Sequence, residues 1–334
     1  MNLIKSTSTF SFFTLISRIL GYFRDVLIAI YLGSGPIADA FFVAFRIPNT
    51  FRRLFSEGTF NAAFVPSYSS ELALGKYQSQ KFANKIFNFL LLILLLIVLF
   101  IEIFMPTFVF LIAPGFLDNP EKLEMTIFLT RITFPFLLFV SLSSFFSAIL
   151  NSHNKFAAAS AAPIILNILL ILILFLQSYL NDELVVYLSY TVTFAGILQM
   201  IFLFFFIRKF YIPKISFDFK INHKVKLFFK KLLPSIFSSG VTQINIFVGT
   251  IIASFQVSAV SYLYYADRIY QINLAVAGIA IGTVLLPNLS KYIKSGNKKK
   301  IEFIQNKSLE LSLFLSLPAT IALMIASEEI TSSL

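Results

Sequence analysis

Long apolar runs, each closed by a short polar stretch, set the rhythm of this chain. "IFNFLLLILLLIVLFIEIF" (86–104) and "IILNILLILILFL" (164–176) have the length and purity of bilayer-crossing helices. A hydrocarbon core ~30 Å thick takes about 20 residues at ~1.5 Å of rise each. Hydropathy and breakers predict nine such spans, over 9–32, 36–67, 83–112, 123–150, 157–178, 184–207, 228–254, 259–290 and 303–326. The expected class is all-α, a polytopic membrane protein.

Composition agrees. Of 334 residues 57% are hydrophobic and only 13% charged, with a mean hydropathy of +0.84. A soluble domain of that length could not hide so much apolar surface. Cysteine is absent, which excludes disulfides and thiolate metal sites. The opening "MNLIKSTSTFSFFTLISRIL" starts as a signal peptide would. It contains Arg18, lacks a small-x-small cleavage pattern and continues into Arg24 and Asp25, so it reads as a retained first helix. The 42 phenylalanines accompany abundant Ile, Lys and Asn, as an AT-rich genome would give, and carry no functional inference.

Charge orients the spans. Lys5, then Lys76, Lys81 and Lys85, then Lys155, then Arg208 to Lys231, then Lys291 to Lys307 all fall on one side of the nine crossings. The other side carries "GSGP", "DNPEKLE", "ND", "QVS" and "EE", with Lys122 its only lysine. That alternation predicts a cytoplasmic N-terminus. The net charge of +11 is thus mostly a topology signal. It argues against nucleic acid as a partner and suits anionic lipid headgroups beside the basic loops.

Lysine and arginine divide their labour. Lysines keep to loops and span ends, whereas Arg18, Arg24, Arg46, Arg52, Arg53, Arg131 and Arg268 fall inside predicted spans. Arginine stays charged when desolvated and offers a planar fork for phosphate or carboxylate. Unpaired at mid-membrane, the set would cost on the order of 20 kcal/mol. Arg18 and Asp25 share a face of the first span, with Gly21 between them to admit a neighbouring helix or a ligand. In the second span Asp39, Arg46 and Arg53 repeat at seven, Glu57 lies one turn beyond, and Pro48 and Gly58 are expected to interrupt the helix. The eighth span carries Asp267 next to Arg268. Four well-placed carboxylates (Asp25, Asp39, Glu57 and Asp267) leave about three positive charges in surplus, which fits a cavity for a multiply charged anion. Inter-helix ion pairing remains the alternative for any single residue, Arg46 in particular, and Arg53 could serve as a snorkelling anchor at a helix end. By depth, a phosphate group would enter near Arg52 and Arg18 and pass to Arg24 and Arg268.

"IADAFFVAF…FVPSYS" in the second span has a weak counterpart in "YADRIYQIN…LLPNLS" in the eighth, so a duplicated six-helix plan is expected, with lobes at 1–225 and 226–334. "SRILGYFRDVLIAIYLGSGPIADAFFVAFRIPNTFRRLFSEGTFNAAFVPSYS" resembles the N-terminal signature of the MurJ (MviN) family of lipid II flippases, in the MOP transporter superfamily. "YYADRIYQINLAVAGIAIGTVLLPNLSK" is similar to that family's eighth helix. The resemblance implies a MOP-type helical bundle with about nine of fourteen transmembrane helices present. It implies export of lipid II, an undecaprenyl-pyrophosphate-linked peptidoglycan precursor, from the inner to the outer leaflet of the bacterial cytoplasmic membrane by alternating access. The substrate-binding set it implies is Arg18, Arg24, Asp25, Asp39, Arg52, Glu57 and Arg268, to which the charge pattern adds Arg53. A monomer is expected, with no cofactor and no metal. Family members continue past the ninth helix, so the rest of the second lobe and the tail-holding helices are expected to be missing here. Some members carry an acidic residue in helix seven linked to sodium. Here "QINIFVGTII" offers Gln243, Asn245 and Gly249, with no carboxylate.

Rival readings are weaker. An enzyme would need a nucleophile or base with positioned partners, yet His153 and His223 sit in loops and no metal-spaced cluster exists. A multidrug exporter of cations should present carboxylates to its cavity rather than arginines. A flippase for another polyprenyl-linked polysaccharide stays open, because the spacing of Asn49, Asn245 and Gln271 selects no sugar.

Overall fold

The computed structural model describes residues 3–56, 59–180, 183–216, 220–273, 292–293 and 297–329, with single residues 281, 285 and 289. It divides into two compact units, Met1–Ser261 and Tyr262–Leu334. Every regular element among the described residues is helical.

The first unit runs α1 (Leu3–Leu32), α2 (Pro36–Ser56), α3 (Thr59–Ala73), α4 (Lys76–Ile103) and α5 (Met105–Ile112). A 3-10 turn (Pro114–Asp118) leads to α6 (Pro120–Thr133), α7 (Phe136–Ser152), α8 (Phe156–Phe175), the single turn α9 (Gln177–Leu180), α10 (Leu184–Ile207) and α11 (His223–Ser254). The unit boundary falls within α12 (Ala259–Asn273), and α13 (Lys298–Ile325) belongs wholly to the second unit. Five segments are long and apolar enough to cross a membrane: Lys76–Ile103, Pro120–Ser152, Phe156–Phe175, Leu184–Ile207 and Lys298–Ile325. The protein is therefore a multi-pass membrane protein. α1 and α2 fall outside this group, and both carry arginine and aspartate in otherwise apolar sequence.

Local chemistry explains the boundaries. Gly33, at φ 62°, ends α1 in the left-handed region, and Pro36 opens α2 with its φ already set. Asn119 caps α6, its Oδ1 accepting from the Lys122 N–H at 3.1 Å, with Pro120 in the first turn. Two expectations change here. The helix at 36–67 continues unbroken through Pro48 as far as Ser56, and Glu57 and Gly58 lie outside the described residues. The spans expected at 83–112 and 123–150 are each two helices, parted near Phe104 and at Pro135.

Pro48 is tolerated because its loss is repaired. With no N–H at 48, the Ala44 carbonyl has no helical donor. The Thr133 hydroxyl on α6 donates to that oxygen at 2.8 Å. α2 thus stays helical through the centre of the unit, where every residue from Ala38 to Pro48 is buried. It packs on α6 and α7, while α1 packs on α8, and α10 on α7 and α8. Phenylalanines fill the junction of α3, α4, α7 and α11: Phe64 lies 5.1 Å from Phe145, 6.0 Å from Phe82 and 6.2 Å from Phe228 between ring centroids.

Candidate functional site

Arg24 sits two-thirds of the way along α1 and is 6% exposed. Its guanidinium grips one oxygen of the adjacent Asp25, with Nε 2.9 Å and Nη2 2.6 Å from Oδ1. Nη1 donates at 2.8 Å to Asn167 Oδ1 on α8, and the Phe45 ring of α2 lies 5.6 Å from Cζ. Asn167 turns its amide back to α1, where Nδ2 donates to the Ser17 carbonyl at 2.9 Å. Gly21 marks this approach, since a Cβ there would stand 3.5 Å from Asn167 Nδ2. The neighbour that this glycine was expected to admit is therefore α8.

Such an anchor fixes the direction of a buried cation. Three of the five guanidinium N–H donors are engaged by Asp25 and Asn167. The other two donate to no described residue, and the partners supply the compensation that a desolvated arginine requires. Asn167 was missed by sequence reasoning. Its signal was a lone asparagine within "IILNILL", which an apolar helix tolerates only when its amide is satisfied.

Asp39 does not join the arginines in the way its stripe suggested. It is fully buried, and its Oδ2 lies 2.6 Å from Lys122 Nζ. Oδ1 accepts from the Ser261 N–H at 2.8 Å. Lys122, expected in an outer loop, is 8% exposed in the first turn of α6, with its ammonium 3.8 Å from the centre of the Phe116 ring. One of the four carboxylates is thus matched to a lysine rather than to an arginine. Arg46, expected as a possible structural pair, is 7% exposed and donates from Nη1 to Thr250 Oγ1 on α11 at 2.7 Å.

Arg18 and Arg131 lie exposed on the protein's own surface. Arg52 and Arg53 lie near the end of α2 with side chains outside the described set, and Glu57 lies outside the described residues. In the second unit Arg268 is half-buried beside Asp267. It donates from Nη2 to Tyr264 Oη at 3.0 Å and from Nη1 to Gln271 Oε1 at 3.3 Å, with Cζ 4.7 Å from the Tyr264 ring centre. No cluster of metal-ligating side chains occurs among the described residues.

Known proteins bear on this arrangement. The family model described as "Lipid II flippase MurJ" matches residues 28–334. A probable lipid II flippase MurJ of Rhizobium tropici is 44% identical over 336 residues, covering 99% of this chain and 63% of the relative. The one from Rickettsia prowazekii (strain Madrid E) is 41% identical over 337 residues, covering 99% and 65%. A solved structure of a lipid II flippase MurJ in an inward closed conformation superposes with a TM-score of 0.81 at 31% identity, over 96% of this chain and 66% of that one. An inward-facing multidrug resistance MATE family transporter of the MOP superfamily gives 0.70 at 14% identity, over 94% and 71%, a likeness of fold alone. The fold is a MOP-type helical bundle, and the chain spans just under two thirds of the length of these curated relatives.

Proposed function

The chain belongs to the lipid II flippase MurJ family, and from that premise we propose that the protein moves lipid II from the inner to the outer leaflet of the bacterial cytoplasmic membrane. It is a transporter rather than an enzyme, and it works by alternating access between lobes at 1–225 and 226–334. The observation that carries this reading is the likeness to curated lipid II flippases along 99% of the chain. The buried, directed guanidinium of Arg24 adds physical support, because a pyrophosphate presents paired oxygens that arginine's planar fork can meet.

In this mechanism Arg18 and Arg52 meet the pyrophosphate near the cytoplasmic side, with Arg53 beside them and Glu57 as a local counter-charge. Arg24 and Arg268 receive it deeper in the membrane. Asp25 and Asn167 hold Arg24 in direction, so that binding the anion requires no reorganisation of its donor. Asp39 acts at one remove, fixing the α2 and α6 ends through Lys122. The alternation of basic and non-basic loops supports a cytoplasmic N-terminus. The protein acts as a monomer, with membrane lipids around it and no nucleic acid partner.

The test is complementation. A full-length protein carrying this chain is expressed in bacteria depleted of their own lipid II flippase, and precursor reaching the outer leaflet is measured. Wild type is expected to restore translocation. Arg24→Ala and Arg268→Ala, at equal membrane levels, are expected to fail. Rescue by both variants would reduce the arginines to structural groups, and a well-expressed but inactive wild type would redirect the assignment to another lipid-linked glycan.

A further inference from the structure

A second basic feature lies outside the arginine site, entirely within the first unit. A cavity of about 550 Å³ opens between the first turns of α4 and the segment that follows α10. Lys76, Lys81, Lys85, Arg208, Lys209 and Lys214 line it, and among the described residues no carboxylate does. The volume lies within the range of small-ligand sites. Lysines scattered on a cytoplasmic face would satisfy topology equally well, so their convergence on one cavity needs a separate cause.

The fold builds that convergence. Asn84 and Asn88, one helical turn apart on α4, bond the backbone of the segment that follows α10. Asn84 Oδ1 accepts from the Lys214 N–H at 3.1 Å and from the Tyr211 hydroxyl at 2.6 Å. Asn88 Nδ2 donates to the Lys214 carbonyl at 3.0 Å, and its Oδ1 accepts from the Ser216 N–H at 2.9 Å. Tyr211 is 1% exposed, and burial holds its hydroxyl well above the usual phenol range, so it remains a neutral donor. Like charges on α4 and on the segment are thereby pinned together. Lys76 also occupies the first position of α4, where the helix dipole opposes a cation, and Gly75 supplies no capping side chain. Both costs vanish when an anion enters.

We infer that this pocket binds a phosphate-bearing anion, presented either as a lipid headgroup or as a soluble phosphate compound. The inference stands apart from the transport reading, because none of the pocket residues belongs to the arginine site.

Binding is measured on the full-length protein with two probes. Inorganic pyrophosphate is titrated calorimetrically into protein in neutral detergent. Retention of phosphatidylglycerol, against phosphatidylcholine, is measured by mass spectrometry after transfer from vesicles. The paired substitution Lys81→Gln with Lys209→Gln is expected to weaken binding about ten-fold. Asn84→Ala, which keeps every charge, is expected to weaken it as well. Lys298→Gln with Lys299→Gln removes equal charge elsewhere and is expected to change nothing. Each titration is repeated in an Arg24→Ala background, where the arginine site is disabled and the loss caused by the Lys81 and Lys209 pair is expected to persist. Pyrophosphate binding alone, lost in the Lys81 and Lys209 pair, identifies a soluble ligand, and selective retention of phosphatidylglycerol alone, lost in the same pair, identifies a headgroup; either supports the site. Binding of neither probe, or equal weakening by the Lys298 and Lys299 pair, would overturn it.

Discussion

Lys122 and Asp39 are joined across the first unit, Nζ to Oδ2 at 2.6 Å, so that the first turn of α6 is held to the first turn of α2. The same carboxylate accepts from the Ser261 N–H, which brings the start of α12 to the same point. One fully buried aspartate thus organises three helix starts.

Removing one member of such a pair costs more than removing both, because a lone buried charge is left behind. Lys122→Met is expected to destabilise the protein by about 3–5 kcal/mol. Adding Asp39→Asn should recover most of the loss, since asparagine can still accept from Ser261. Thermal melting in detergent decides it, and equal losses in the single and double variants would sink the idea.

The bond between Asn167 and Arg24 is expected to matter for transport more than for folding. Hydrogen bonds to charged groups contribute about 1.5–3 kcal/mol. Asn167→Ala should therefore reduce translocation in the depletion strain while membrane levels stay near normal. Arg24→Lys should do the same, because an ammonium cannot match the fork that meets Asp25 and Asn167 together. Full activity of Asn167→Ala would make Asn167 a packing residue.

Gly115 lies where the 3-10 turn meets the end of α11. Its N–H donates to Ser254 Oγ at 3.0 Å, and a Cβ there would collide with the Ser254 backbone. Gly115→Ala should cost about 1–3 kcal/mol through overpacking. Gly240→Ala, in open space on α11, should be neutral or slightly stabilising. Comparable melting of the two variants would contradict the close approach.

His153 gives a pH signature. Its ring stacks on Phe210 at 4.3 Å and lies 3.3 Å from the Tyr68 hydroxyl, and burial lowers its pKa from 6.5. The unfolded chain then takes up the proton first. This contribution to stability is complete above pH 6.5, declines as pH falls below it, and stops changing once the lowered folded value is passed. Melting temperatures at decreasing pH should show a decline that is shallower in His153→Gln. Parallel profiles for the two proteins would refute it.

Sequence patterning revealed the helices because bilayer-length apolar runs have few alternative structures. It also marked Arg24 and Asp25, since ionised groups inside such runs are costly enough to stand out. Other features were hidden for identifiable reasons. Lys122 read as a loop lysine because loop charge was assigned to topology, while its partner Asp39 lies 83 positions away. Asn84 and Asn88 in "KFANKIFNF" carry no sequence signal, as their partners are mostly backbone groups and leave no mark in side-chain spacing. The continuity of α2 through Pro48 was equally illegible, because it depends on a hydroxyl from α6.

That hydroxyl gives positions 48 and 133 a shared evolutionary fate. Thr133 occupies an oxygen that an ordinary residue at 48 would claim through its own N–H. While proline stands there, drift from threonine to valine would strand the Ala44 carbonyl and be selected against. Replacement of the proline would relax that selection and let position 133 wander. The two sites should therefore change in order along a lineage, the proline first and the threonine afterwards.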